Sequence, residues 1–311
     1  MQLLDHLTSM GYKYKVVSIT HLHDLKREIE EKYHSGILKE EVYSRYLASL
    51  SFSASEEIPN ARSIIAIAVP RNLTKAVFTM ENKKYDFTIP PTYWKYRQTV
   101  QEIKGVLSDI LDKYGFHAAA TDLSEKLLAV HSGLAFYGKN NITYIPGWGS
   151  FYQLVSYFSD MPAGQDEWHE LRMLEKCNNC SACEKVCPTN AISAGRFTIN
   201  AEKCLTFYNE NEDGFPGWLN PKAHNSLIGC MYCQHYCPEN KQFRNNVDVT
   251  TEFSETETRQ IFDAGMLEEL PLELNEKLEN LCIVRNNVEF TNLKRNMRVL
   301  IANTDTCLEI I

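Results

Sequence analysis

The chain has no apolar run approaching the roughly 18 to 20 residues that a membrane-crossing helix needs. Its opening stretch, MQLLDHLTSMGYKYKVV, shows no basic region followed by an apolar core. A cytoplasmic location is the expectation. The sequence also lacks a G-x-G-x-x-G fingerprint and a G-x-x-x-x-G-K-[ST] loop, so neither a nicotinamide dinucleotide nor ATP is indicated. Net positive charge is missing as well. A formal charge of −8 over 311 residues gives no global attraction for a nucleic-acid backbone, leaving only a local basic groove for one.

What is present is an ordinary globular composition, 44% hydrophobic and 23% charged, with length for one large domain and a smaller one. Ten cysteines is a high count. In a reducing compartment they point to metal rather than to disulfides. Eight lie between Cys177 and Cys237, whereas Cys282 and Cys307 stand apart and are expected to be buried structural thiols.

The stretch Cys177-Asn-Asn-Cys180-Ser-Ala-Cys183-Glu-Lys-Val-Cys187-Pro188 is a C-x2-C-x2-C-x3-C-P run. That spacing is the one bacterial ferredoxins use for [4Fe–4S] clusters: three thiolates wrap one face of a cube, and the fourth, before the proline, serves a neighbouring cluster. A second half is therefore required. It follows as Cys230-Met-Tyr-Cys233-Gln-His-Tyr-Cys237-Pro238, one cysteine short, and Cys204 supplies the missing thiol. The crossover rule assigns one cluster to Cys177, Cys180, Cys183 and Cys237, and the other to Cys187, Cys204, Cys230 and Cys233. A pair of zinc sites would need only paired C-x2-C units and leaves the two C-P endings unexplained. Between the halves lies a 25-residue insertion, 205–229, with Phe215-Pro216-Gly217-Trp218 and His224-Asn225. It is expected to pack against another part of the chain, with His224 a packed or exposed side chain rather than a ligand.

Ahead of the cysteines, apolar runs alternate with helical patterns, as in an α/β domain. Ser63-Ile-Ile-Ala-Ile-Ala-Val69 reads as a strand buried on both faces and closed by Pro70. A helix is predicted over 98–114, with Val100, Ile103, Val106, Leu107 and Ile110 on one face and Gly115 as its C-cap. A strand over 116–122 follows, then a helix from Glu125 capped by Ser124. Segments 142–145 and 151–158 read as a hairpin joined by Pro146-Gly-Trp-Gly-Ser150. Asp122 sits where a strand gives way to a helix, a position that α/β sheets often use for reactive groups; taken by itself it is a turn residue. Glycines in Gly133-Leu-Ala-Phe-Tyr-Gly138-Lys-Asn-Asn141 would let backbone amides approach a ligand.

Taken together, Ala61-Arg-Ser-Ile-Ile65, the Asp122 turn, Ser132-Gly-Leu-Ala-Phe-Tyr-Gly-Lys-Asn-Asn141, Gly149-Ser150 and the double cysteine run resemble the epoxyqueuosine reductase family over about residues 50 to 245. The resemblance implies an α+β chain: a nitroreductase-like α/β domain at 1–165 that binds cobalamin, a ferredoxin-like double-cluster domain at 166–245 and a short helical cap at 246–311. The family shares this arrangement with reductive dehalogenases. It further implies a cytoplasmic oxidoreductase in which two [4Fe–4S] clusters, fed by an external donor of ferredoxin or flavodoxin type, pass electrons to the corrinoid. The substrate would be the epoxide of a transfer-RNA nucleoside or a small electrophile. A non-catalytic electron-transfer protein docking another redox enzyme is the alternative.

By position, Asp122 matches the family's proton donor, with Glu125 as the alternative acid. Tyr96, Gly138, Lys139, Asn140, Asn141, Gly149 and Ser150 match its cobalamin contacts. The chain departs from the pattern in three places. Asp122 is closer to Gly133 than usual, and Ala135 stands where a glycine is expected. Lys95-Tyr96-Arg97 replaces an aspartate-tyrosine-histidine triplet and keeps only the aromatic. Beyond Val247 the tail carries six Lys and Arg against thirteen Asp and Glu, a balance that weakens the case for transfer RNA there. Leu267, Leu270, Leu272 and Leu274 are its expected packing residues, and Lys294-Arg295-Asn296-Met297-Arg298 reads as a solvated helix face.

Overall fold

The computed structural model describes residues 2–193, 198–212, 214–281 and 283–308. Cys282 and the side chain of Cys307 lie outside the described residues. No described helix is long and apolar enough to cross a membrane. The strands are β1 (Lys13–Ser18), β2 (Ser63–Pro70), β3 (Leu73–Met80), β4 (Lys83–Ile89), β5 (Ala118–Ala120), β6 (Phe136–Tyr137), β7 (Thr143–Tyr144), β8 (Tyr152–Ser159) and β9 (Val247–Phe253). The architecture is mixed α/β. Contacts divide it into two compact units, one built on residues up to Arg71 and on Arg97–Ser181, the other on Asn72–Tyr96, the segment beginning at Ala182 and the chain beyond Lys203.

In the first unit β1, β2, β8 and β5 form a four-stranded sheet in that order, antiparallel throughout. The first seven residues of β2 are all buried, because helices cover both faces of the sheet. Ile64, Ala66 and Ala68 join Val17, Leu25, Ile29, Leu127 and Leu128 in one cluster. The opposite face meets the helix Tyr96–Leu111, which buries Ile103, Leu107, Ile110 and Leu111. There the Tyr157 hydroxyl donates to the Val100 carbonyl at 2.6 Å, and the Thr99 hydroxyl donates to Gln153 at 2.6 Å. Each buried Ile or Val of β2 contributes about 1.5–3 kcal/mol of transfer free energy.

Three expectations are corrected in this unit. Only Ala118–Ala120 of the 116–122 segment is strand, since the His117 N–H turns to the Asp160 carboxylate. Ser124 occupies the N-cap position but makes no side-chain cap bond. Segments 142–145 and 151–158 are not a hairpin: β7 pairs with β6, and β8 pairs with β2 and β5. Only an isolated bridge, Ile145 to Gly149, spans the turn.

In the second unit β3 and β4 form a hairpin whose turn places Glu81 and Asn82 at φ 51° and 59°, the paired left-handed geometry that suits the strand twist. On its other side β3 pairs in parallel with β9. Phe78 stacks on Phe253 at 4.3 Å, and Phe87, Leu274, Leu278, Leu281 and Phe290 complete the core. The tail therefore opens with a strand. Ser254 and Glu257 then form a full capping box for the helix Glu255–Asp263. Leu267, Leu270 and Leu274 are buried as expected, but Leu272 is 73% exposed, being the first residue of the helix Leu272–Glu279, which turns Leu274 and Leu278 inward.

Except at exposed Arg298, the basic cluster is not solvated. Lys294, Asn296 and Met297 are buried: Lys294 donates to the Ala264 carbonyl and Met297 joins the core, while Arg295 and Asn296 satisfy carbonyls of the 205–229 insertion. Arg295 donates to the carbonyls of Tyr208 and Asn211, each at 2.7 Å. Asn296, 1% exposed, donates to those of Asn209 and Leu227 at 3.0 and 2.8 Å. Buried carbonyls left without donors would each cost about 1–3 kcal/mol, so these side chains hold the insertion closed over its own Leu205, Leu219 and Ala223.

Candidate functional site

The eight clustered cysteines carry free thiols, with no disulfide among them. In the first unit the 3-10 helix Glu175–Cys177 delivers Cys177, whose N–H donates to the Leu174 carbonyl at 2.8 Å, and a turn to Cys180 follows. In the second unit Cys204 is the N-cap of the helix Leu205–Asn209, Cys233 lies in the helix Tyr232–His235, and Cys237 caps the 3-10 helix Pro238–Asn240. Among the described residues no three His, Cys, Asp or Glu side chains converge on a single ion.

Two of these sulfurs already accept hydrogen bonds. The Ala191 N–H donates to Cys187 Sγ at 3.3 Å, and Asn225 Nδ2 donates to Cys230 Sγ at 3.2 Å. Burial pushes the Cys204 thiol up, with negative charge at Cys187 adding to it. Burial likewise pushes Cys230 up to about 12, outweighing the Asn225 bond, with Cys204 and Cys187 adding to the shift. Thiols so placed become thiolates when they bind iron, whose positive charge reverses the local balance. His224 is buried against Phe215 at 4.3 Å, and burial followed by the Arg295 charge lowers it to about 4. It is thus a neutral, packed histidine.

Most of the other expected site residues lie in the first unit. Asp122 is exposed just past β5, its carbonyl accepting the Ser51 N–H at 3.0 Å. Glu125 opens the helix Glu125–His131 and is half-buried. Between β6 and β7 the chain turns tightly: the Gly138 N–H donates to the Ile142 carbonyl at 2.7 Å, and Asn141 sits at φ 59°. A Cβ on Gly138 would fall 2.5 Å from the Tyr144 ring, so only glycine fits there. Asn140 is buried, donating to the Tyr144 hydroxyl at 2.9 Å. Lys139 Nζ donates to the Cys180 carbonyl at 2.7 Å. Gly149, at φ 65°, closes the turn back to Ile145, and Ser150 is buried beside it. Tyr96, by contrast, belongs to the second unit and starts the helix Tyr96–Leu111 directly after Lys95 at φ 54°.

Sequence reasoning missed a charged array behind this loop. His131, 6% exposed, has Nδ1 2.6 Å from the His169 carbonyl and Nε2 2.7 Å from Glu28. With Glu28 ionised, its pKa being lowered, both contacts are satisfied at once only by the imidazolium, which donates from each nitrogen. Its ring stacks on Trp168 at 4.7 Å, and Trp168 stacks on His21 at 4.0 Å. Burial lowers the His131 pKa, but the bonds to Glu28 and the His169 carbonyl outweigh it and the net shift is upward. Burial raises Glu28, yet its bonds from His131 and Lys32 leave it lowered. The only signal in the sequence is an unplaced histidine in an apolar run.

The contribution of His131 is thus full below its ordinary value of 6.5 and lost as pH rises through the folded value. That of Glu28 is full above 4.5 and lost as pH falls. Denaturant titration is expected to show stability falling as pH rises above about 6.5, with His131→Gln flattening that slope. An unchanged slope in the variant would show that the pair does not control it.

These cysteines on a mixed α/β chain define an iron–sulfur protein of the double-cluster kind, and residues 176–240 match the family described as a 4Fe-4S double cluster binding domain. In sequence and fold the chain is epoxyqueuosine reductase-like. It is 27% identical to the epoxyqueuosine reductase of Staphylococcus aureus (strain NCTC 8325 / PS 47) over 240 residues, 72% of this chain and 60% of that protein. It is 28% identical to that of Pseudomonas aeruginosa over 242 residues, 75% and 66% of the two chains. The chain thus spans about three fifths of the length of such relatives. Among solved structures, the epoxyqueuosine reductase of Streptococcus thermophilus aligns with TM-score 0.65 at 17% identity, covering 97% of this chain and 80% of that one. An epoxyqueuosine reductase solved with a tRNA-Tyr epoxyqueuosine-modified stem loop aligns with TM-score 0.68 at 20% identity and the same coverage.

Proposed function

We propose that the chain is a cobalamin-dependent reductase of the epoxyqueuosine reductase kind, acting in the cytoplasm. Two [4Fe–4S] clusters, one on Cys177, Cys180, Cys183 and Cys237 and the other on Cys187, Cys204, Cys230 and Cys233, pass electrons from a ferredoxin- or flavodoxin-type donor to a corrinoid. The observation that carries this reading is that one chain joins a double-cluster segment to a mixed α/β unit, and that its fold aligns over 97% of its length with epoxyqueuosine reductase.

The expected cofactor residues suit a corrinoid. Asn140, Asn141 and Ser150 are uncharged, the Gly138 and Gly149 N–H groups are already spent on the Ile142 and Ile145 carbonyls, and the one cation of the loop, Lys139, donates to the Cys180 carbonyl. Such a donor set matches a macrocycle rimmed with neutral amides better than a phosphate. Cobalamin held there would supply the low-potential metal centre that reduces the substrate. Asp122 would hold the proton that the reduced substrate takes up. The epoxide of a transfer-RNA nucleoside is the favoured substrate, since a structural relative was solved with such a stem loop.

After anaerobic purification and reconstitution, about eight irons and stoichiometric corrinoid uptake per chain are expected, with turnover of an epoxyqueuosine-bearing RNA. Eight irons with no corrinoid uptake would instead leave an electron carrier.

A further inference from the structure

Two connections within the first unit tie the 138–141 turn to the segment that carries Cys177 and Cys180. One is backbone. Tyr137 of β6 donates to the Arg172 carbonyl at 2.9 Å and accepts from the Leu174 N–H at 2.8 Å, and Leu174 in turn accepts from the Cys177 N–H. The other is Lys139, whose ammonium reaches past its own turn to the carbonyl of Cys180. A lysine that lines a cofactor face is free to meet that cofactor. This one is committed to the main chain of an iron ligand.

We propose that Lys139 is a positioning residue that sets the reduction potential of the cluster held by Cys177 and Cys180, linking that cluster electrostatically to the cofactor turn. The inference rests on the reductase reading only in taking this turn as the cofactor's. On reduction the cluster takes up one electron and becomes more negative by one charge, with no bond or proton moving. A fixed cation on the ligand loop favours the reduced form and raises the potential. The same hydrogen bond polarises the peptide between Cys180 and Ser181, which makes the Ser181 N–H a stronger donor. Because the ammonium is anchored on the turn, whatever orders the turn also fixes the charge beside the cluster.

The test is an anaerobic redox titration with dithionite, followed by electron paramagnetic resonance on the full reconstituted chain without corrinoid. Lys139→Met is expected to keep about eight irons and to shift one of the two cluster equilibria about tenfold against reduction, about 59 mV for one electron. The second cluster should not move, and Lys139→Arg should stay near the wild-type value. Loss of one cluster in Lys139→Met with both retained in Lys139→Arg overturns the proposal, because the lysine would then hold the ligand loop rather than tune a potential. Unmoved potentials, equal movement of both clusters, or loss of a cluster in both variants overturns it. Corrinoid uptake by the wild type is measured separately, so failure of the reductase reading leaves this comparison intact.

Discussion

Replacing Cys204 with alanine is expected to cut the iron content from about eight to about four per chain while leaving the other cluster's resonance signal in place. Cys204 is the one proposed ligand of the set that belongs to neither cysteine run, and it stands 17 positions after Cys187 and 26 before Cys230. Yet it lies beside Cys187, whose negative charge helps to raise its thiol, and Cys204 and Cys187 together help to hold the Cys230 thiol up. As the N-cap of the helix Leu205–Asn209 it has its backbone fixed by the insertion, which Arg295 and Asn296 hold shut from the tail helix. A cube deprived of one thiolate in this buried place has no other described cysteine to turn to within its group. Because ligand binding is also folding free energy, the variant should melt at a lower temperature than the wild type. Iron and acid-labile sulfide analysis decides the matter: full retention of both clusters would remove Cys204 from the ligand set.

Legibility in the sequence followed the range over which each feature is determined. The two cysteine runs could be read because a cube's ligands must lie at short fixed spacings. β2 could be read because burial on both faces leaves an unbroken apolar run, and the αL cap at Gly115, at φ 73°, because glycine is chosen for it locally. The misread elements are those settled by distant partners. The glycine-rich 146–150 stretch looks like a hairpin turn, but β7 and β8 find their partners in β6, β2 and β5. Lys294 to Arg298 looks solvated because nothing local shows that carbonyls from residues 208–227 need donors. The His131–Glu28 contact spans 103 residues, and no periodicity carries that information. For the same reason the Lys139 contact stayed hidden: glycine-lysine-asparagine suggests a ligand loop, and nothing local shows that the lysine reaches the Cys180 carbonyl, 41 residues on.

Asp122→Asn is expected to leave iron and corrinoid content unchanged while reducing turnover by roughly a hundred- to ten-thousand-fold, the range a positioned general acid supplies. The substitution keeps size and shape and removes only the transferable proton. The backbone should tolerate it, since Asp122 is tied to the fold through its main-chain carbonyl, which accepts from Ser51, and its side chain is exposed. Glu125 gives the comparison. It lies three residues on, half-buried in the first turn of the helix Glu125–His131, and Glu125→Gln should retain turnover within a few-fold if Asp122 is the donor. The reverse pattern, with Asp122→Asn active and Glu125→Gln inactive, would move the proton to Glu125, which the shortened path from Asp122 to Gly133 makes a real contest. Single-turnover assays with chemically reduced, corrinoid-loaded protein separate the two, because they bypass the clusters and read the protonation step alone. Unchanged rates in both variants would mean that the proton comes from water or from substrate, and neither carboxylate would have a place in the mechanism.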